Sequence, residues 1–258
     1  MEKIMLIAGC SHAAGSEMDG TEDSRSNRLN SFGGLLAYKM QRRPINIAVM
    51  ASSNLSIARS VIQWFDEVYD SATMEVFVLI AWTESSRMEI PSCVRQEYYS
   101  GNPAIDWLPS ECEKYLRVNF SSMSTDEISQ EQISQAQRFM VSNSPFLEIN
   151  SAMQAMHVRS FLENLSVKYC MCDTGYMFSD ADYMKFYLKQ LDPSCYLNIG
   201  KDISTTFYSK YKDAGYIHPR AKYFHHGPVP HKLYADELYK FITESRVTKP
   251  NHPQTGAI

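Results

Sequence analysis

Short apolar runs that end in polar turns recur along the first third of the chain. They cover Lys3–Ala8, Ile45–Met50 and Glu75–Trp82. Continuous apolar runs of this length are typical of strands that are buried on both faces of a parallel sheet. In the intervening segments, Ser31–Met40 and Leu55–Tyr69, apolar residues recur at helical spacing. The alternation of strands and helices predicts a parallel sheet with crossover helices.

The second half of the chain predicts several helices and one further strand. We expect a helix that begins at Thr125, a strand over Val167–Cys172, and helices over Asn150–Leu165, Tyr183–Leu191 and Leu233–Ile242. The apolar stripe of the predicted helix Asn150–Leu165 is expected to comprise Met153, Met156, Phe161 and Leu165. Residues 192–230 are predicted to be irregular.

Three polar stretches interrupt this pattern. Residues 12–28 are rich in Gly, Ser, Asp and Glu, which predicts a long exposed loop. Residues 88–125 lose their periodicity and contain several prolines, so we expect an excursion over the cleft that acts as a lid. The tail from Thr243 contains Pro and Gly and is predicted to fray.

Length and composition indicate one globular domain. The chain has 258 residues, of which 44% are hydrophobic and 21% charged. We expect a single domain over residues 1–243 with an insertion at about 88–150 and a flexible tail over 244–258.

The net charge of −4 argues against nucleic acid as a partner. No apolar run approaches the roughly 20 residues that span a bilayer, and the N-terminal run is shorter than a signal peptide requires, which predicts a cytoplasmic protein without a membrane partner.

The six cysteines have neither the spacing of a disulfide framework nor that of a zinc ribbon. Cys170 and Cys172 are two residues apart in a predicted strand, which places both on one face of the sheet. We therefore expect buried free thiols in a reducing compartment.

Polar turns follow the first three predicted strands, at Gly9–Ser11, Ala51–Asn54 and Trp82–Arg87. Because the carboxyl ends of parallel strands share one edge of the sheet, ligands bind there. A serine at such a turn presents its hydroxyl to the cleft, and the backbone N–H groups around it can bind an oxyanion. Ser11 is therefore a candidate nucleophile. The alternative is that Gly9–Ser11 is a turn without a catalytic role, since glycine and serine are common in turns.

Four of the seven histidines lie between residues 218 and 231, just before the last predicted helix, at His218, His225, His226 and His231. An imidazole at the edge of the sheet would activate a serine hydroxyl by taking its proton. Two other interpretations stay open. His225 or His226 would form a zinc site with His231 and Asp213, or these histidines lie in a surface loop without a function.

These segments together resemble the SGNH/GDSL hydrolase family. The first block of that family is a strand followed by G-D-S, and this chain has Gly9-Cys10-Ser11. Its second block supplies a glycine N–H to the oxyanion hole, where this chain has Ala51. In the third block, G-x-N-D, Thr83 stands for the asparagine. The resemblance covers roughly residues 1–90 and 205–243, and it is strongest to divergent SGNH-like proteins of phage genomes, which share the Gly-Cys-Ser-His start and the Trp-Thr-x-x-x-Arg third turn.

The last block of the family is D-x-x-H-P, with a second His and an Ala at fixed distances further on. His225, His231 and Ala235 keep these offsets, whereas Lys222 stands in place of the aspartate. The resemblance therefore implies His225 as the base, with Asp213 as a substitute for the orienting acid. The alternative bases are His218, His226 and His231.

The resemblance implies a three-layer α/β/α flavodoxin-like sandwich with a central parallel sheet. It also implies a hydrolase without cofactor or metal that cleaves an O-acyl ester, such as an O-acetyl group on a sugar, in the host cytoplasm if the chain is phage-encoded. The implied oxyanion donors are Ser11, Ala51, Asn54 and Thr83. Because several blocks depart from the family pattern, we expect a slow or specialised enzyme. The alternatives are an inactive binding protein with the same fold and a metalloenzyme built on the histidine cluster.

Overall fold

The computed structural model of the chain describes residues 1–21, 23–91, 104, 107–108, 114–120, 122–123, 127–175, 177–179, 181–212, 221 and 225–245. The strands are β1 (Glu2–Gly9), β2 (Arg43–Asn46), β3 (Met74–Trp82), β4 (Met88–Pro91), β5 (Tyr115–Val118) and β6 (Lys168–Asp173). The helices are α1 (Ser11–Ala14), α2 (Arg25–Asn30), α3 (Phe32–Lys39), α4 (Asn54–Glu67), α5 (Glu127–Ser142), α6 (Ser144–Asn164), α7 (Lys185–Gln190), α8 (Phe207–Lys212) and α9 (Pro228–Glu244).

The central sheet has four parallel strands in the order β2-β1-β3-β6. This is the order of the first four strands of a flavodoxin-like sheet. The alternating side chains of β1 enter two different cores: Ile4 and Leu6 pack on one face of the sheet, and Met5 and Ile7 on the other. All four are fully buried, which explains why the run shows no alternation of apolar and polar residues.

Helices cover both faces of this sheet. The core on the first face contains side chains of α4 and α6, such as Trp64 and Val158. The core on the second face contains side chains of α3 and α9, such as Phe32 and Leu238. The predicted three-layer α/β/α architecture is thus observed. Among the described helices, none has both the length and the apolar content that crossing a bilayer requires.

Three sequence-based predictions about secondary structure are wrong. Residues 12–28 are not a long exposed loop, because they contain α1 and part of α2 and bury most side chains between His12 and Met18. The segment 192–230 contains α8. Helix α9 begins at Pro228 rather than at Leu233, so that His231 lies in its first turn.

The predicted stripe of α6 is wrong at two of its four residues, whereas the other two, Met156 and Phe161, pack against the first core. Met153 is 54% exposed and Leu165 is 41% exposed, whereas Ala155 and Val158 are fully buried. The buried face combines small residues with a larger one, Leu162, and packs against α4. Choosing the largest apolar side chains therefore missed the small residues of this face.

The insertion contains a second, small sheet, in which β4 and β5 pair antiparallel. Leu116 and Val118 of β5 share a separate core with side chains of α5. Most of the stretch 92–113 lies outside the described residues, and so does the greater part of the predicted lid. Cys93 and Cys112 also lie there, whereas Cys170 and Cys172 are free, buried and in the same core, as predicted.

The N-terminus of α4 rests on a serine cap. The Ser53 hydroxyl accepts a hydrogen bond from the Ser56 N–H at 3.1 Å. We expect Ser53→Ala to lower the free energy of unfolding by about 1 kcal/mol in urea denaturation, because an N–H of the first turn loses its partner. The control is Ser71→Ala, which removes an exposed hydroxyl. Equal losses in the two variants would contradict this role of the cap.

Candidate active site

The carboxyl ends of β1, β3 and β6 lie side by side. Gly9 pairs with Ala81, and Trp82 pairs with Asp173. Gly9 has no room for a side chain, since a Cβ there would lie 2.6 Å from Ala13 Cβ and 2.9 Å from the Ala81 carbonyl oxygen. The glycine therefore lets α1 approach the ends of the strands closely.

Ser11 is the first residue of α1, immediately beyond this close approach. Its residue exposure is 6%, and its hydroxyl makes no hydrogen bond with any described residue. Gly15 follows α1 and has a φ of +73°. A side chain would not fit here, because a Cβ at this position would lie 2.5 Å from the Asn27 carbonyl oxygen. This glycine turns the chain sharply, and Glu17 follows within two residues.

Glu17 forms a buried pair with His225. The distance from His225 Nδ1 to Glu17 Oε2 is 2.7 Å, and the two side chains are 10% and 6% exposed. A carboxylate at Nδ1 fixes the orientation of an imidazole and places its hydrogen on that nitrogen. Glu17 thus contacts the predicted base, whereas Asp213, the predicted orienting acid, lies outside the described residues together with His218.

The His225 ring lies next to the residue that follows Ser11. The centroids of the His225 and His12 rings are 5.1 Å apart, at 64°. Burial, and then the charges of His225 and Arg87, hold the pKa of His12 well below its usual value, so that this imidazole is neutral. The late histidine and the early serine therefore belong to the same end of the sheet.

The two remaining described histidines of the cluster have packing partners. His226 Nε2 lies 3.0 Å from the Tyr208 carbonyl oxygen, and its ring contacts Phe207 edge-on. His231 Nδ1 accepts a hydrogen bond from the Phe32 N–H at 3.0 Å. Burial, with contributions from the neighbouring histidines, lowers the pKa of His231 to about 3. His231 is thus a neutral acceptor that ties α9 to the start of α3.

Two of the predicted oxyanion donors are engaged within the protein. The Asn54 amide donates to the Thr83 carbonyl oxygen at 3.1 Å and to Ser151 Oγ at 3.0 Å, and its oxygen accepts from the Thr83 N–H at 2.9 Å. The Thr83 hydroxyl donates to Glu84 Oε2 at 2.8 Å. Ala51 has a φ of +58°, a conformation that favours the glycine usual at this position.

An ion pair lies in the turn after β3. Arg87 Nε is 2.6 Å from Glu84 Oε2. Burial alone would raise the pKa of Glu84, but Arg87 and the Thr83 hydroxyl outweigh it and hold this pKa below its usual value. Neither charged residue belongs to the site predicted from the sequence.

Sequence reasoning missed Glu17 for an identifiable reason. The stretch 12–28 is polar and was therefore predicted to be exposed. The small residues Ala13-Ala14-Gly15 could have indicated that this stretch is buried, because small side chains allow the backbone to pack closely. Within the described residues, no three or more His, Cys, Asp or Glu side chains are placed to hold a metal ion.

Comparison with known proteins gives structural likeness alone. No protein family and no curated protein matches the chain in sequence. A carbohydrate esterase matches with a TM-score of 0.43 and 12% identity, over 95% of this chain and 65% of that one. A psychrotrophic esterase from Pseudoalteromonas matches with a TM-score of 0.42 and 12% identity, over 93% of this chain and 97% of that one. An acetyl xylan esterase from the rumen bacterium Butyrivibrio proteoclasticus matches with a TM-score of 0.44 and 8% identity, over 94% of this chain and 64% of that one.

The chain thus spans somewhat less than two thirds of the length of the first of these esterases and of the third. At such TM-scores and identities, the function of this chain has to be argued from its own residues.

Proposed function

We propose that this chain is a serine hydrolase of the SGNH type that cleaves a carboxylic ester. Ser11 is the nucleophile, His225 the base and Glu17 the carboxylate that orients the base. The observation that carries the proposal is the 2.7 Å contact between His225 and Glu17, beside the residue that follows Ser11. A carboxylate–imidazole pair of this kind supplies the oriented base that a serine nucleophile needs, and catalysis requires His225 Nε2 to come within hydrogen-bond reach of Ser11 Oγ.

The reaction proceeds in two acyl transfers. His225 Nε2 takes the proton of Ser11 Oγ as that oxygen attacks the ester carbonyl carbon, and it then gives the proton to the departing alcohol. Water hydrolyses the resulting acyl-serine by the same proton transfers in reverse order, which releases the carboxylic acid and restores Ser11. The backbone N–H groups of Ser11 and Ala51 are the donors proposed for the oxyanion. The side-chain amide of Asn54 and both donors of Thr83, its N–H and its hydroxyl, are engaged within the protein.

The burial of Ser11 favours a small acyl group. An acyl-serine needs room at Oγ, and a residue that is 6% exposed offers little. We therefore propose an O-acetyl ester, with a sugar as the alcohol that the family resemblance implies. The phage type and the host cytoplasm remain part of the same proposal.

The same burial favours a second candidate, a binding protein that has kept the fold without the chemistry. In that case Ser11 would be inaccessible to any acyl group. The two candidates differ in the reactivity of the Ser11 hydroxyl.

A small alkyl fluorophosphonate tests that reactivity. We expect covalent labelling of the peptide that contains Ser11, as measured by mass spectrometry, because an activated hydroxyl attacks phosphorus. Labelling should vanish in Ser11→Ala and persist in Ser71→Ala, which removes an exposed serine. A folded wild-type protein that remains unlabelled would exclude the hydrolase and leave the binding protein.

A further inference from the structure

The guanidinium of Arg87 is fixed in place from one side. Its Nε contacts Glu84 Oε2, and the Thr83 hydroxyl donates to the same oxygen. The other oxygen of Glu84 packs against Gly175, where a Cβ would lie 2.6 Å away from it. Because the carboxylate is held by a hydroxyl and by a backbone contact, the arginine paired with it is held as well.

The other side of this guanidinium is unused. Nη1 and Nη2 of Arg87 make no hydrogen bond with any described residue, although the side chain is only 14% exposed. Neither nitrogen is among the described buried atoms without a partner, so both retain contact with solvent. A nearly buried cation with unpaired donors is costly unless a ligand pairs with it. The two terminal nitrogens form a planar fork that matches the two oxygens of a carboxylate.

Arg87 lies in a turn at the same end of the sheet as the candidate nucleophile. The turn that carries it follows β3, whose last residues pair with the end of β1. Burial lowers the pKa of His12 most, and the charges of His225 and Arg87 add to this effect. The pKa of Arg87 is raised, against the effect of its burial, by Glu84 and then by Cys10. Cys10 and His12 flank Ser11 on either side.

We propose that Arg87 binds a carboxylate of the substrate, so that the chain acts on anionic esters in preference to neutral ones. The inference rests on the proposed function, whose substrate class it narrows. A carboxylate fits better than a phosphate, because Glu84 already neutralises part of the cation and a dianion would be repelled. The net charge of the chain is −4, so attraction of an anion to the site depends on a local cation of this kind.

Two pairs of synthetic esters test the inference. The first pair, 4-acetoxybenzoate and 4-acetoxybenzamide, differs in charge on the alcohol side. The second pair, phenyl hemisuccinate and phenyl succinamate, differs in charge on the acyl side. In at least one pair we expect kcat/KM to be about 10- to 100-fold higher for the anion, mainly through KM, because a charge-assisted bidentate contact binds substrate.

Substitutions distinguish a direct contact between Arg87 and the substrate from a general effect of the protein's charge. Arg87→Gln should abolish the preference for the anion, so that kcat/KM falls much further for the anionic ester than for the neutral one. Glu84→Gln should keep or increase the preference, and the double variant Glu84→Gln/Arg87→Gln should lack it although the net charge is unchanged. Arg43→Gln, which removes an exposed cation paired with Glu2, is the control.

Each result has a defined consequence. The inference is overturned if the wild-type protein has the same kcat/KM for the anionic and the neutral ester of each pair. It is also overturned if Arg87→Gln lowers both values equally. Neither result contradicts the proposed hydrolase. If no ester is hydrolysed, calorimetry of 4-hydroxybenzoate against 4-hydroxybenzamide decides. Binding of the anion that depends on Arg87 supports the carboxylate site without the chemistry, and absence of such binding overturns it.

Discussion

Replacement of His225 with alanine is expected to lower kcat for a small acetate ester by about 10⁴-fold while KM changes little. The hydroxyl of Ser11 makes no hydrogen bond with the described residues, so its reactivity depends on a base that reaches it from elsewhere in the chain. The proposed base is the imidazole that Glu17 holds at 2.7 Å. Its loss removes the proton transfer from both acyl transfers.

Glu17→Gln should lower kcat by a comparable factor, about 10³- to 10⁴-fold, because an amide no longer fixes the tautomer of the ring or stabilises its charged form. His157→Ala and Glu67→Gln are matched controls, since both residues are exposed. The measurement is steady-state hydrolysis together with the rate of fluorophosphonate labelling. Wild-type rates in either His225→Ala or Glu17→Gln would assign the activity to another base.

Replacement of Arg28 with methionine is expected to lower the free energy of unfolding by about 3–5 kcal/mol. This arginine is 3% exposed and lies against Asp23, which is 5% exposed, at 2.7 Å. Its Nη1 also donates to the carbonyl oxygens of Asn46 and Ala48, each at 2.9 Å. Methionine would leave a buried carboxylate and two carbonyl groups without this donor.

A surface pair provides the control for Arg28. Arg43 pairs with Glu2, but these side chains are 52% and 48% exposed. Arg43→Met should therefore change the free energy of unfolding by less than about 1 kcal/mol. Urea denaturation measures both variants, and similar losses would show that burial does not determine the cost. Because the Asn46 and Ala48 carbonyls precede the turn at Ala51, Arg28→Met should also slow labelling of Ser11.

Much of the fold could be predicted because it depends on local pattern. The apolar runs that became β1 and β3 are buried on both faces, and this burial is what makes the runs continuous. Ser31, the first residue of the predicted helical segment Ser31–Met40, caps α3 by accepting a hydrogen bond from the Gly34 N–H. The stripe of α6 could be predicted only in part, because its buried face includes small residues such as Ala155, whose size gives no signal in the sequence.

The sequence by itself determined the parallel sheet, its covering helices and the position of Ser11 at the end of a buried strand. These features follow from the periodicity of neighbouring residues, which is visible without knowing what they contact. Only the tertiary structure decided that Glu17 pairs with His225, across 208 residues of sequence. It also decided that the turn with Arg87 lies at the same end of the sheet as Ser11. Such pairs form because chain reversals such as that at Gly15, and the packing of α9, bring distant segments together. The local pattern of a segment does not indicate which distant segment it will contact.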